Sequence, residues 1–586
     1  MRQNLVRTAA ASIICMLTGS ASFGLPAKPG LINAEQPDGT VVTIRLEGDE
    51  RSHKAYTSDG YLLTHDAEGY YVFADCDASG VMVPTDIREI NPETRSAATL
   101  ERIAAINLEK LEAASARAMR AEAPARNPGL SANPFPSKGE NRGIAILVEF
   151  KNKKFSIENP NDFFTRMLNE EGFSDYGATG SARDYFTQNS AGMFKPYFDV
   201  YGPVQLDENY SYYGANNSSG NEPNCWQMVV HGCQKLDDEV DFSLYDANED
   251  GLIDNVYVFY AGFGEADGGN ANTVWPHSWD VMYATSTKYD FDGKRLNHYA
   301  CSNELQFFGN MPDGIGAFVH EFGHVMGMPD LYMTSYGEAF TPGKWDVMDR
   351  GSYNNDSHTP PAYSAFERYA LEWMEPEILN QTGEYSLTHI LESNHAYMIE
   401  TGNPNEFYLL ENRQQAGQDK YIPGHGMLVW HIDFDPWIWD NNAVNNTVDH
   451  QYVDIVEADN KKNEATRSGD SFPGKSKVTS FTSETKPALL SWAGEKLAVE
   501  LYDITESEDG IVTFHAEADM SGIINISGSS NFIKVSGNAI VSASGNADVY
   551  DLSGRCVASV GSQPVELPAG LYIATQNGKT QKVVIR

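Results

Sequence analysis

The sequence predicts an α+β fold in which a central domain of mixed helices and strands lies between β-rich flanks. Three observations lead there. The largely apolar stretch at 143–150 reads as a buried strand, and helical and strand periodicities alternate after it as far as residue 260. Further on, Ile315, Val319 and Phe322 form an apolar stripe at helical spacing. From about residue 377 to the end, short strands are separated by Gly, Ser and Asn turns.

The chain opens with Arg2 and Arg7, an apolar run from Ala9 to Leu17 and small residues through Gly24, the pattern of a secretory signal peptide over 1–24. That run is too short for a good membrane span. With 586 residues, 41% hydrophobic and 21% charged, the chain is long enough for several globular domains. Its 42 basic residues against 81 acidic ones give a net charge of -39, which argues against nucleic acid or an anionic membrane surface as a partner. Of six cysteines, Cys15 leaves with the signal, and Cys76, Cys225, Cys233, Cys301 and Cys556 remain, an odd number for an exported protein. Cys225 and Cys233 lie on one predicted helix about 12 Å apart, too far for a disulfide. Cys301 could pair with either, and none has the spacing of a zinc ligand set.

Residues 25–130 have a character of their own. "DGYLLTHDAEGYYVFADCDASG" alternates apolar and polar residues between turn pairs and predicts a β meander, and 91–123 has helical spacing. The Pro- and Gly-rich stretch "APARNPGLSANPFPSKGENRG" that follows reads as an exposed linker open to proteolysis. A self-contained segment ending in such a linker suits removal after export, so 25–130 is expected to be a propeptide, with Cys76 its candidate metal-binding thiolate.

The central domain is expected over 138–376, with helices at 160–171, 181–189 and 224–236 and strands near Tyr197 and at 255–260. Asp246, Asn248, Asp250 and Asp254, with the backbone oxygen of Leu252, occupy positions 1, 3, 5, 9 and 7 of a calcium-type loop, and Gly251 stands at position 6. Position 12 is Tyr257 in place of a bidentate Glu, so Glu265 or Asp267 is expected to complete the shell of a structural Ca2+.

In the helix after Asp313, a candidate cap, His320 and His324 lie four apart on one face, about 6 Å from each other, and can both reach one metal ion. Glu321, about a third of a turn round, falls beside the metal's open position, where a general base belongs. Gly327 suits the helix C-terminus and Pro329 stops its resumption, so the chain can return Asp330 as third ligand. Glu367, in the later helix "PAYSAFERYALEW", is the rival third ligand. Such a nitrogen and oxygen donor set implies zinc.

The run "HEFGHVMGMPDLY" followed by "GKWDVMDRGSYN" resembles the immune-inhibitor-A family of secreted bacterial zinc metalloproteases, with His-Glu-x-x-His-x-x-Gly-x-x-Asp at 320–330. The resemblance extends over about 140–515, through "AILVEFKNKKFS", "GSARDYF", "YDANEDGLIDNVYVFYAGFGEA", "VWPHSW", "FYLLENRQ" and "GHGMLVWHID". It implies a zincin-type catalytic domain with a methionine turn at Met348, a tyrosine, Tyr353, placed to support an oxyanion, and proteins or peptides as substrates. A β-rich region, 377–518, is expected to pack on that domain. Residues 521–586, with "VYDLSGR" and "LPAGLYI", resemble the C-terminal sorting domain of the type IX secretion system, which implies that machinery as a partner and a secreted or cell-surface location. The expected function is a zinc endopeptidase. Its rivals are a silent zincin-fold surface binder, which has no need of Glu321, and a zinc hydrolase of non-peptide bonds.

Overall fold

The computed structural model describes residues 23–106, 111, 135–518 and 533–585, apart from 50–51, 67, 77–81, 218–220, 307–310, 336–338, 404, 537–538, 543–545, 552–554, 562, 569 and 577–578. The chain divides into two compact units, 1–520 and 521–586.

The first unit begins with a two-residue strand, β1 (Phe23–Gly24). Six strands then form an antiparallel sheet in chain order: β2 (Leu31–Glu35), β3 (Val41–Asp49), β4 (Ser52–Thr57), β5 (Leu62–His65), β6 (Tyr71–Cys76) and β7 (Met82–Arg88). Strict alternation in β2 and β3 buries Ile32, Ala34, Val42, Ile44 and Leu46 on one face, and that face shares its core with Ala266 and Trp275. The predicted meander therefore packs against the central domain. A helix follows, α1 (Ala97–Ala104), capped by Ser96. The remainder of the predicted helix, apart from Leu111, and the linker as far as residue 134 lie outside the described residues, as do residues 1–22 of the expected signal peptide.

The central domain is built on β8 (Arg142–Glu149), α2 (Pro160–Asn169), α3 (Ala182–Asn189), β9 (Tyr197–Gln205), α4 (Cys225–Leu236), β10 (Val256–Phe263), β11 (His277–Asp280), β12 (His298–Leu305) and α5 (Gly316–Val325). Its sheet runs β1-β11-β12-β10-β8-β9. β9, β8, β10 and β12 are parallel, β11 is antiparallel to β12, and β1 adds antiparallel to β11 at the edge. Parallel strands with helices on both faces must be apolar where they are covered, as β8 is over 143–148 and β10 along its length. Ala145 and Leu147 of β8 face the aromatic core of α2, α3 and α5, with Phe164, Phe186, Phe318 and Phe322, whereas Ile144, Ile146 and Val148 face α4.

The β-rich region contributes a five-stranded sheet of Glu377–Ile378, Tyr397–Glu400, Glu406–Arg413, Gly426–Asp433 and Val453–Ile455. Leu409, Leu428, Trp430 and Ile432 from this sheet join the core that holds Trp345, Met348 and Phe366, so 377–518 and the central domain share one interior. Buried Arg413 ties them further, paired with Asp419 and donating to the Ala362 carbonyl at 3.1 Å. The second unit holds a three-stranded and a four-stranded sheet around Ile540, Val549, Val560, Ala574 and Val583. No helix among the described residues is long and apolar enough to cross a membrane.

Candidate metal centre

Helix α5 crosses beneath the sheet with every residue buried. It can lie so close because Gly316 and Gly323 have no side chain: a methyl group at Gly323 would sit 2.6 Å from Met348 Sδ, and one at Gly316 would collide with the Ser352 carbonyl. At its end Gly327 takes φ of 97°, in the left-handed region, and Met328 N–H returns to the Gly323 carbonyl at 2.9 Å. That reversal brings Asp330 back under the helix.

His320 and His324 each use Nδ1 to donate to a carbonyl, of Val347 and Met328 respectively, both at 2.8 Å. A carbonyl only accepts, so the proton is on Nδ1 and the Nε2 lone pairs face inward. The two Nε2 atoms lie 3.2 Å apart, and Asp330 Oδ1 is 3.3 Å from the first and 3.2 Å from the second. Tetrahedral zinc with its usual bond lengths spaces nitrogen and oxygen donors about 3.3–3.5 Å apart, so this triangle fits the ion. Burial pushes the His324 imidazole below its ordinary range. Burial opposes ionisation of Asp330, but His324 and His320 outweigh it and hold the carboxyl well below the usual range. Both shifts favour ligating forms. Asn442 clamps Asp330 from the side, Nδ2 donating to Oδ2 at 2.6 Å and Oδ1 accepting from the Asp330 N–H at 2.8 Å.

Glu321 is fully buried next to the triad, and its Oε1 accepts the backbone N–H of Leu25 at 3.0 Å. Around that contact the segment 24–26 is held along its length. Gly24 pairs with His277 across β1 and β11, Tyr332 Oη donates to the Gly24 carbonyl at 2.5 Å, Trp275 Nε1 to the Leu25 carbonyl at 2.8 Å, and Tyr353 Oη to the Pro26 carbonyl at 2.7 Å.

Residues 144–379 match the family described as the immune inhibitor A peptidase M6 catalytic domain. These residues are thus similar to a metallopeptidase catalytic domain. The chain is 24% identical over 276 residues to the pre-pro-metalloprotease PrtV of Vibrio cholerae serotype O1, covering 40% of this chain and 30% of that one. Over 266 residues it is 25% identical to immune inhibitor A of Bacillus thuringiensis subsp. alesti, covering 38% of each. The chain thus spans well under half the length of the curated relatives it matches.

The other residues singled out by sequence stand as follows. Met348 is buried under Gly323. Glu367 closes a capping box in the helix Ala365–Ala370, its Oε2 accepting from Ser364 N–H at 2.6 Å, while Asp330 is the carboxylate gathered with the imidazoles. Asp313 does not cap α5: its Oδ1 accepts from Gly314 N–H and Gln306 Nε2, and the first helical N–H, of Gly316, reaches the Ser357 carbonyl instead. The tight packing of Gly314 and Gly316 on 352–358 displaces the expected cap. Burial pushes the Tyr353 hydroxyl well above the ordinary tyrosine range, leaving it a donor. Cys76 ends β6 and is not among the residues gathered at the triad.

In the acidic loop the carboxylates turn onto their own backbone. Asp246 accepts from Asp250 and Gly251 N–H, Asp250 from Leu252 N–H, and Asp254 from Ala247 N–H. Lys294 Nζ lies 2.5 Å from Asp246. Burial pushes Asp254 up to about 7. Glu265 and Asp267 do not complete this shell: they follow β10 and the loop precedes it, and an eight-residue strand is about 26 Å long. Glu265 holds His53 and Asn216 instead. Sequence reasoning missed Asn442 and the 24–26 segment, because their partners lie 112 and 296 residues away.

Proposed function

We propose that this chain is an exported zinc-dependent endopeptidase made as a latent precursor. The observation that carries this reading is the triangle of His320 Nε2, His324 Nε2 and Asp330 Oδ1, with sides of 3.2–3.3 Å, beside the buried Glu321. Zinc held by these donors would acidify a water toward a pKa of about 7 and polarise the scissile carbonyl. With zinc in place, Glu321 would serve as general base, accepting a proton on its carboxylate and returning it to the leaving amine. Tyr353 donates to the developing oxyanion once the Pro26 carbonyl has left it. The substrate strand lies on β11 where β1 now pairs, so backbone bonds set its register.

Residues 25–130 act as the propeptide, and cleavage in the following linker releases the cleft. The name of the Vibrio relative, a pre-pro-metalloprotease, supports a precursor of this kind. Residues 521–586 deliver the protein through type IX secretion to the cell surface or medium. The loop of Asp246, Asn248, Asp250, Leu252 and Asp254 takes Ca2+, which must first displace Lys294 from Asp246.

The test uses processed protein on denatured casein, with and without a zinc chelator, beside Glu321→Gln. Activity lost under both treatments, with zinc retained in the variant, is the expected result. Activity indifferent to both removes zinc peptidolysis, and a zinc-loaded processed chain with no activity on any peptide library favours the silent binder or the non-peptide hydrolase.

A further inference from the structure

A second cluster of metal-ligating side chains lies apart from the triad. Cys225 opens α4, His277 opens β11 and Cys301 lies in β12, and one ligand atom from each falls within 4.8 Å of the other two. All three are buried, at 2%, 5% and 0% exposure. His277 and Cys301 face each other directly across the β11/β12 ladder. No spacing in the sequence announces the group, because the sheet, and not one helix or loop, assembles it.

We propose that Cys225, His277 and Cys301 bind a second, structural zinc ion. The donor chemistry is that of a Cys2His site, soft sulfur with one imidazole. The spacing agrees: His277 Nδ1 is 3.6 Å from Cys301 Sγ, and tetrahedral zinc places sulfur and nitrogen donors about 3.6 Å apart. The outer contact is also in place. His277 Nε2 lies 2.9 Å from Tyr299 Oη, so with Nδ1 on the metal, Nε2–H donates to that hydroxyl, the arrangement that orients a ligating imidazole. Without metal, Nδ1 lies 2.7 Å from the Trp275 carbonyl, and the Nδ1 proton is the one the ion replaces. Glu222, whose Oε1 accepts from the Trp275 N–H at 2.6 Å, neighbours Cys225 and is the candidate for the fourth position. Two buried thiolates would be costly alone, and a divalent cation between them removes that cost. An ion here ties α4 to β11 and β12. It thereby braces β11, the strand on which β1 pairs, and is otherwise independent of the proposed peptidase reading.

The test is metal content and cobalt spectroscopy on the full chain carrying Glu321→Gln, which blocks self-cleavage. Zinc-loaded protein should hold about two ions per chain, falling to about one in Cys225→Ser, in Cys301→Ser and in His320→Ala. Loaded with Co2+, the parent and His320→Ala should show the near-ultraviolet thiolate-to-cobalt band, and both cysteine variants should lack it. Should the cysteine variants misfold, an organomercurial added to the unmutated thiols should release about one zinc into a colorimetric indicator. A Cys225–Cys301 disulfide in a non-reducing peptide map of the exported chain, or cobalt loading without a thiolate band, overturns the proposal. Loss of metal from the triad alone would leave the band intact and so bears only on the peptidase reading.

Discussion

The backbone N–H of Leu25 donates to Glu321 Oε1 at 3.0 Å, joining two residues 296 positions apart. The carboxylate assigned as base is thereby engaged by the protein's own chain, one residue past β1, the strand that pairs with β11 where the proposed substrate would add. Replacing Leu25 with proline removes that donor. A hydrogen bond to a charged group contributes about 1.5–3 kcal/mol, so the uncleaved Leu25→Pro precursor should hydrolyse casein about ten- to a hundred-fold faster than the uncleaved parent. A precursor that stays as silent as the parent would count against latency by this segment.

Asp330 and Glu367 were rivals for the third ligand, and they part company in the fold. Asp330→Asn should lower zinc content sharply, whereas Glu367→Gln should leave it unchanged while loosening its capping box. Asn442→Ala, which frees one side of Asp330, should weaken zinc binding about 10–100-fold. Equilibrium dialysis against a zinc indicator reads all three.

Gly323→Ala tests the floor of the site. The added methyl would meet Met348 Sδ at 2.6 Å and Tyr363 Oη at 3.0 Å. Overpacking costs about 1–3 kcal/mol, more than the ~1 kcal/mol that alanine gains over glycine in a helix. Thermal unfolding should therefore occur at lower temperature, with partial recovery when Met348→Ala is added. An unchanged midpoint would mean that the helix is not seated on the methionine.

The N-terminal sheet should grip the central domain in a pH-dependent way. His53 of β4 stacks on Trp275 with ring centres 4.5 Å apart, and its Nε2 is 3.3 Å from Glu265 Oε1. Burial alone would lower its pKa, but Glu265, with Asp49 behind it, raises it above the ordinary value, while nearby His65 is pushed down to about 4 by burial and stays neutral. A raised histidine contributes its full stabilisation below about 6.5, and loses it as pH rises through the folded-state value. Trypsin nicking of the N-terminal sheet should accelerate as pH climbs above neutrality, and His53→Gln should flatten that profile. Equal pH profiles for both proteins would dissociate His53 from the grip.

For the acidic loop, added Ca2+ should raise the thermal midpoint and Asp250→Asn should abolish the rise, with Lys294→Ala binding more tightly than the parent. A midpoint indifferent to a calcium chelator that spares zinc would leave the loop as a set of backbone turns.

The sequence by itself determined what local spacing can carry: two imidazoles one helical turn apart, a glutamate beside them, a Gly-Met-Pro reversal before Asp330, and an alternating meander near the start. Each depends on the 3.6- or 2-residue period of one element, which no distant contact can change. Only the tertiary structure decided the rest. It set Asn442 against Asp330, left Asp313 off the helix it seemed to cap, pinned Leu25 to Glu321, and drew Cys225, His277 and Cys301 together. The pairings of Asn442, of Leu25 and of the cysteine–histidine cluster join residues tens to hundreds of positions apart, and sheet order and shared burial choose among partners that composition leaves equivalent.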